Sequence, residues 1–186
     1  MAGRVAISSG LTFLRVRGLM SVFEAASNRN GVNLTFLLAI ASRESNMGLS
    51  LSSEGTGDYG NGYGIMQIDK RYHPQFTDHY DALDHESNIH YGAEFLGNLL
   101  DSFGADERKA SAAYNAGETR VRNAVNAGLS PDAVTTGSDY GDDVARRKQI
   151  IKQVIGYTQA SATAVYALPV TTLLASLYYY STIKSE

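Results

Sequence analysis

The most informative part of this chain reads Gly57-Asp58-Tyr59-Gly60-Asn61-Gly62-Tyr63-Gly64-Ile65-Met66-Gln67-Ile68-Asp69. Glycine at this density rules out a helix and predicts turns with positive φ, together with a small β element such as a hairpin. The run contains one aspartate, Asp58, and ends on a second, Asp69. One or two solvated carboxylates, with a protonated acid opposite them, are the groups that cleave a glycosidic bond.

The acid is predicted just upstream, in the segment Ser42-Arg43-Glu44-Ser45. Asn33 is a suitable N-cap for a helix over residues 34–45. In that helix Glu44 continues the apolar face formed by Leu37, Ile40 and Ala41. A carboxyl group held against apolar side chains has a raised pKa and stays protonated near neutral pH. The alternative is an ordinary glutamate at a helix end, paired with Arg43 or Lys70.

Both aspartates also have ordinary interpretations. Asp58 can close an Asx turn, and Asp69 can form an ion pair with Lys70 or Arg71. Their functional value depends on geometry, because cleavage with inversion needs two carboxyl groups roughly 6.5–9.5 Å apart with water between them.

Composition limits the functions that this chain can have. The chain has 186 residues, which suits one domain, and its net charge is −3. It contains no cysteine, and this excludes disulfides, a thiolate nucleophile and a cysteine-ligated metal. A chain with this net charge lacks the overall positive charge that is typical of nucleic-acid-binding proteins. One basic cluster consists of Arg146, Arg147, Lys148 and Lys152. It could bind a polyanion or simply form a solvated helix face. The spacing of His79, His85 and His90 predicts no metal site. No phosphate loop, dinucleotide fingerprint or nucleophile elbow occurs, so no cofactor is predicted.

Helical periodicity dominates the rest of the chain. A first helix is predicted over residues 11–28, ended by Asn30-Gly31. Asp84 is the predicted cap of a second long helix. Further helices are predicted over residues 85–102, 107–116, 118–127 and 140–157. The fold class is therefore mainly α (α+β).

The two ends of the chain carry separate expectations. The apolar stretch from Val5 to Leu14 is interrupted by polar residues and followed by Arg15 and Arg17, which is unlike a secretory signal. We therefore expect synthesis in the cytoplasm and release by lysis or specialised secretion. The tail over residues 158–186 is apolar and tyrosine-rich, and we expect it to pack on the domain or to face a membrane or partner.

Four segments taken together resemble the goose-type lysozymes, which share a fold with the soluble lytic transglycosylases. They agree in order and spacing over about residues 15 to 157. The first is Ala41-Ser42-Arg43-Glu44-Ser45 with Gly48, and the second is the glycine-rich run continued through Lys70-Arg71 to His73. The third and fourth are Ala113-Tyr114-Asn115-Ala116-Gly117, and Thr135-Thr136-Gly137-Ser138-Asp139-Tyr140 with Asp143-Val144.

The resemblance implies a lysozyme-like fold with two lobes, a small β element and a substrate cleft between the lobes. It implies a muramidase that cleaves, with inversion, the β-1,4 bond between N-acetylmuramic acid and N-acetylglucosamine in peptidoglycan glycan strands. Glu44 matches the general acid, and Asp58 and Asp69 match the aspartates that hold the attacking water. The residues that match the sugar-binding cleft are His73, Tyr114 and Tyr140, with Gln67 and Asn115 placed there as well.

Two alternatives stay open at this point. A lytic transglycosylase keeps the chemistry of Glu44 but needs no second carboxylate, since the 6-hydroxyl of the sugar closes an anhydro ring. The presence of both Asp58 and Asp69 favours hydrolysis. A non-catalytic peptidoglycan-binding module is the second alternative, and the presence of all three carboxylates speaks against it.

The sequence thus predicts a catalytic domain over residues 1–157 and a C-terminal extension over 158–186. We expect a monomer that acts at the bacterial cell wall or in the periplasm. An inhibitor or immunity protein is a candidate partner, and nucleic acid is not.

Overall fold

The computed structural model describes residues 3–166, with side chains described up to residue 156. The chain divides into two units, residues 1–152 and 153–186. The first unit carries every predicted site residue.

The N-terminal part forms two helices where the periodicity predicted a single one over residues 11–28. Helix α1 spans Gly3–Val16 and helix α2 spans Leu19–Arg29. Gly18 lies between them with φ of 70°, a left-handed conformation that glycine adopts readily and that ends the first helix. Among the residues described, no single helix is long and apolar enough to cross a membrane; α1 and α2 pass only as a pair bent by 95°.

Helix α3, Leu34–Ser45, is the central element. Its N-terminus forms as predicted, because the Asn33 side chain accepts hydrogen bonds from the backbone N–H groups of Thr35 and Phe36. The helix is apolar on nearly all sides, and every residue from Phe36 to Ser42 is buried. A helix of this kind lies inside the core and fixes the residues at its C-terminal end.

The glycine-rich run forms three very short antiparallel strands instead of one hairpin. They are β1 (Thr56–Gly57), β2 (Gly62–Tyr63) and β3 (Ile68–Asp69), in the order β1-β2-β3. Thr56 pairs with Tyr63, and Gly62 pairs with Asp69. A 3-10 turn over Asp58–Gly60 joins the first two strands. Asp58 and Asp69 therefore belong to neighbouring parts of one small sheet.

Five more helices complete the described part of the chain. The long helix α5 packs against both α2 and α6, and Asp84 caps it as predicted by accepting from the Ser87 N–H. Short 3-10 turns precede the last helix at Pro131–Val134 and Thr136–Ser138. The helices are α4 (Pro74–Thr77), α5 (His85–Ser102), α6 (Glu107–Ala116), α7 (Glu118–Asn126) and α8 (Tyr140–Tyr166).

The observed architecture confirms the predicted fold class, a mainly helical chain with a small β element. Helix α8 begins at Tyr140 as expected and continues beyond the predicted end at residue 157. The division between a catalytic domain and a tail at that residue stays a prediction. Most of the predicted tail, residues 167–186, lies outside the described residues.

Candidate active site

Glu44 lies half-buried in the last turn of α3. The Tyr140 hydroxyl at the start of α8 donates a hydrogen bond to its Oε1 atom. Burial raises the pKa of Glu44 to about 7, although the Tyr140 hydrogen bond and the charge of Arg43 both act to lower it. The carboxyl group is therefore substantially protonated at neutral pH, as a general acid must be.

The family resemblance predicts that Tyr140 lines the sugar cleft, but the structure buries this residue. Only 2% of the residue is exposed, and its hydroxyl is directed to Glu44. The guanidinium carbon of Arg43 lies 5.4 Å from the centre of its ring. Tyr140 is thus in a position to orient the acid, whereas direct contact with a polymer in solution would require an exposed face.

One groove brings together five of the eight predicted site residues. It has a volume of about 450 Å³ and runs between the sheet and helices α5 to α7. Its lining combines aromatic and polar side chains, a composition that is usual for sites that bind small molecules. The predicted residues that line it are Gln67, Asp69, His73, Tyr114 and Asn115.

Tyr114 connects this groove to Glu44. Its ring lines the groove, and its hydroxyl donates to the Met66 carbonyl at 2.9 Å. Burial raises the pKa of the Tyr114 hydroxyl well above its usual value, and the charge of nearby Glu44 adds to the effect. Glu44 itself lines a second cavity, of about 390 Å³, between α1, α3 and α8.

Asp58 and Asp69 are held by the same guanidinium group. Nη2 of Arg71 lies 2.8 Å from Oδ2 of Asp58 and 2.5 Å from Oδ2 of Asp69. The backbone N–H and the Nε atom of Arg71 also donate to Oδ1 of Asp69, at 2.8 and 2.9 Å. Asp69 lines the groove, while Asp58 lies outside its lining and is exposed.

The hydrogen bonds from Arg71 are the main reason why the pKa of Asp69 is lowered below its ordinary value. Burial acts in the opposite direction but is outweighed. Asp69 is therefore ionised at neutral pH, whereas the pKa of Glu44 is about 7. An acid and a base need pKa values moved apart in this way; Glu44 lines the second cavity, whereas Asp69 lines the groove.

His73 is fixed by a chain of hydrogen bonds. Nε2 of Gln75 donates to the Tyr91 hydroxyl at 2.6 Å, and that hydroxyl lies 3.0 Å from Nδ1 of His73. Because Tyr91 accepts from Gln75, its single proton is directed to Nδ1, and the proton of the neutral imidazole stays on Nε2. Burial lowers the pKa of His73, so the ring is neutral at neutral pH and offers Nε2–H as a donor.

Gln67 and Asn115 line the groove, and each makes a hydrogen bond to the backbone. Gln67 has a positive φ of 49°, and its Nε2 donates to the Gly64 carbonyl at 2.8 Å. Oδ1 of Asn115 accepts from the Thr136 N–H at 2.8 Å. These bonds fix the two amide side chains within the groove wall.

Sequence reasoning missed several residues that build the site. The local sequence predicts Arg71 only as an ion-pair partner of Asp69, and no local signal indicates that it binds both aspartates. Phe95 packs between His73 and Tyr114, with ring centroids 4.7 and 5.1 Å away. A helix pattern would have placed Phe95 in the core, because an aromatic residue at helical spacing has no distinguishing mark.

Asn88 was also missed. It is fully buried on α5, where Nδ2 donates to the Tyr63 carbonyl at 2.7 Å and Oδ1 accepts from the Met66 N–H at 2.8 Å. A buried amide that satisfies two backbone groups fixes the glycine-rich segment to the helix. In the part of the chain that the structure describes, no group of three or more histidine and carboxylate side chains could hold a metal ion.

Comparison with known proteins identifies the broad class to which this chain belongs. Residues 21–132 match the family described as the transglycosylase SLT domain. The fold matches the X-ray structure of an inactive mutant of the lytic transglycosylase Slt from Pseudomonas aeruginosa, with a TM-score of 0.57 and 20% identity. The match covers 73% of this chain and 24% of that chain. The fold is therefore the lysozyme-like fold of the SLT domain.

More similar relatives narrow the assignment. The chain is 33% identical over 154 residues to lysozyme g from Takifugu rubripes, covering 77% of this chain and 78% of the relative. It is 32% identical over 176 residues to lysozyme g from Gallus gallus, covering 81% and 78%. The chain belongs to the goose-type lysozyme family, which the four sequence segments indicated.

Proposed function

We propose that this protein is a muramidase, which hydrolyses the β-1,4 bond between N-acetylmuramic acid and N-acetylglucosamine in peptidoglycan. Its family membership makes it a peptidoglycan-cleaving enzyme of the cell wall. The finer proposal depends on one observation above all. The pKa of Glu44 is raised to about 7 by burial, while that of Asp69 is lowered by Arg71.

Glu44 is the proposed general acid. Its protonated carboxyl group gives its proton to the glycosidic oxygen as the bond breaks, and the leaving sugar departs as an alcohol. Tyr140 holds Oε1 through its hydroxyl, which directs the acid and lowers the energy of the carboxylate that forms. Because of this hydrogen bond, Glu44 gives up its proton more readily even though its carboxyl group is shielded from bulk water.

Asp69 is the proposed base, with Asp58 as its partner. An ionised Asp69 at the wall of the groove can accept a proton from a water molecule while that water attacks the anomeric carbon. Attack from the face opposite the leaving group inverts the configuration. Arg71 fixes both carboxylates in one orientation, and this favours a single water position over many.

The groove residues bind the glycan strand in this proposal. Tyr114 and Phe95 offer aromatic faces, and His73 offers Nε2–H to a sugar acceptor such as an acetamido carbonyl. Gln67 and Asn115 contribute amide groups whose positions are fixed by backbone hydrogen bonds. Glu44 lines the second cavity and not this groove, so the proposal requires that the strand extends from the groove to the Glu44 carboxyl group.

A lytic transglycosylase is the second candidate. The domain family and the fold neighbour both carry that name. The observation that favours it is the engagement of both aspartates by Arg71, since a carboxylate committed to a guanidinium is a weaker base. In this reaction the 6-hydroxyl of muramic acid attacks the anomeric carbon, and Glu44 serves as acid and then base.

Digestion of purified peptidoglycan in ¹⁸O-labelled water separates the two candidates. A muramidase produces reducing-end muropeptides that carry one ¹⁸O atom, and we expect this result. Anhydro ends, lighter by one water and without label, would instead establish the transglycosylase. Glu44→Gln is the control and should release neither product.

The same variant tests the remaining alternative, a peptidoglycan-binding module. An enzyme loses turnover on Glu44→Gln but keeps its affinity for glycan strands. If the wild-type protein binds strands and releases nothing, the binding module becomes the correct interpretation.

A further inference from the structure

Three arginines surround one buried carboxylate beside the candidate acid. Nη1 of Arg43 lies 3.2 Å from Asp143, Nε of Arg147 lies 2.6 Å from it, and Arg146 also donates to it. Burial raises the pKa of Asp143, but the hydrogen bonds from Arg147 and Arg146 outweigh this, so the pKa is lowered and the group is ionised. A second carboxylate, the exposed Asp139, pairs with Arg43 at 3.3 Å. The three arginines outnumber Asp143 and Asp139, so positive charge is in excess among these five groups.

The same three arginines line the cavity of about 390 Å³ that Glu44 also lines. We call this space the arginine cavity. Its volume lies in the range of sites that take small ligands. Its remaining walls offer hydroxyl and amide groups as well as apolar contacts, from Ser42, Asn46, Ser50, Ala6 and Ile150.

Arg146 is the arginine best placed to bind a ligand in this cavity. Its side chain is 67% exposed, and within the described part of the chain Asp143 is the only acceptor of a hydrogen bond from the Arg146 guanidinium. A guanidinium has five N–H donors in a planar fork that matches a carboxylate, so Arg146 retains donors for a second anion. Arg147, by contrast, also donates to the carbonyl and hydroxyl of Ser42.

We infer that the arginine cavity is a carboxylate-binding subsite for the acidic groups of the substrate. This inference rests on the proposed function, because a ligand that reaches Glu44 must then be a peptidoglycan strand. Such a strand carries carboxylates either on the lactyl group of muramic acid or along the stem peptide. Since Glu44 forms part of the cavity wall, a carboxylate bound there belongs to a muramic acid residue close to the bond that is cut, or to the stem peptide that this residue carries.

The kinetic test compares three substrates with Arg146→Gln and the wild-type enzyme. Intact peptidoglycan carries stem-peptide carboxylates, amidase-treated strands carry only lactyl carboxylates, and carbodiimide-amidated peptidoglycan carries neither. We expect Arg146→Gln to lower kcat/KM about fivefold on a charged substrate, mainly through KM. We expect less than a twofold change on the amidated substrate.

Arg122→Gln is the matched control. Arg122 is an exposed arginine on α7 that pairs with Glu118, outside the arginine cavity, and its loss should change none of the three rates. A penalty on intact peptidoglycan alone assigns the stem peptide, and a penalty on amidase-treated strands assigns the lactyl group. Equal values for Arg146→Gln and wild type, or an equal penalty on all three substrates, would overturn the inference.

Binding is measured separately so that failure of the proposed function stays distinguishable. Glu44→Gln protein with ¹⁵N-labelled arginine is titrated with a soluble disaccharide tripeptide and with its amidated form. The charged ligand should move the Arg146 side-chain resonance, and the amidated ligand should not. If wild-type protein cleaves no substrate, the proposed function fails, and this titration alone then decides whether the cavity binds carboxylates.

Discussion

At the scale of single residues, the pKa of Glu44 is set by three contributions that do not all act in the same direction. Burial at the end of α3 raises it, and the hydrogen bond from Tyr140 and the charge of Arg43 partly reverse that shift. The net pKa of about 7 keeps the acid protonated up to neutral pH while leaving the carboxylate stable enough to form.

Tyr140→Phe should move the alkaline limb of the pH profile. The Tyr140 hydroxyl lowers the pKa of Glu44, so its removal raises that pKa, and protonated acid persists to higher pH. We expect the midpoint at which kcat/KM declines to lie above the wild-type value of about 7. Tyr114→Phe is the control, because its hydroxyl donates to the Met66 carbonyl and not to Glu44. A midpoint that moves equally in both variants would contradict this account.

Tyr91→Phe should allow the imidazole proton of His73 to occupy either Nδ1 or Nε2. Without the Tyr91 hydroxyl, Nδ1 loses its partner, and both neutral tautomers become populated. Imidazole ¹⁵N shifts should show a protonated Nε2 in the wild type and a mixture in the variant, with KM about fivefold higher. Tyr80→Phe removes a hydroxyl from the same aromatic cluster and should change neither quantity. A wild-type ring protonated on Nδ1 would reverse the assignment.

At the scale of elements, the glycine-rich segment depends on close packing against α5. Gly64 has φ of 67°, and a Cβ atom there would clash with Cγ of Asn88. Asn88 in turn binds the backbone of Tyr63 and Met66. The segment therefore needs glycine at this point both for its conformation and for the space that the amide occupies.

Gly64→Ala should destabilise the protein by about 2–4 kcal/mol in urea denaturation, because strain adds to the displacement of Asn88. Gly60→Ala is the matched control. Gly60 also has a positive φ, of 85°, but no atom lies within 4 Å of its Cβ position. It should lose only the strain energy, about 1 kcal/mol. Similar losses in the two variants would show that Asn88 does not fix the segment.

Arg71 couples the 3-10 turn that carries Asp58 to strand β3, which carries Asp69. Arg71→Gln should raise the pKa of Asp69 towards its ordinary value of 3.8. The acid limb of the kcat/KM profile should then move to higher pH, because a protonated Asp69 cannot accept a proton from water. Lys70→Gln removes an exposed neighbouring cation and should leave the limb in place. An unchanged limb in Arg71→Gln would favour the transglycosylase.

At the scale of the whole molecule, Asp143 joins the central helix α3 to helix α8. It binds Arg43 from α3 and Arg147 from its own helix, and Arg147 then donates to the Ser42 carbonyl on α3. Removal of a buried carboxylate leaves the surrounding cations without compensation, which costs several kcal/mol in comparable cases. The contact between these two helices also sets Tyr140 against Glu44.

Asp143→Asn should therefore lower the free energy of unfolding by about 3 kcal/mol at neutral pH. The folded-state pKa of Asp143 is lowered, so this stabilisation is present above the ordinary value of 3.8 and is lost as pH falls through the folded value. The difference between variant and wild type should shrink in acid. Asp142→Asn is the neighbouring control, since exposed Asp142 pairs with Arg108 and should cost less than about 1 kcal/mol.

Local sequence signals were sufficient for most elements of the fold. Asn33 and Asp84 capped the predicted helices because capping is a contact between residues two or three positions apart. The glycine-rich run excluded a helix for an equally local reason. The predicted single N-terminal helix was wrong because Gly18 breaks a continuous apolar pattern, and a helical periodicity does not detect one left-handed residue.

The sequence by itself determined the family, the mainly helical fold and the candidate acid, since these follow from ordered motifs and helix periodicity. Only the tertiary structure decided how the site is connected. The bond from Tyr140 to Glu44 joins residues 96 positions apart, and the bond from Arg43 to Asp143 joins residues 100 positions apart. Electrostatic shifts and burial depend on distance in space, which periodicity along the chain does not encode.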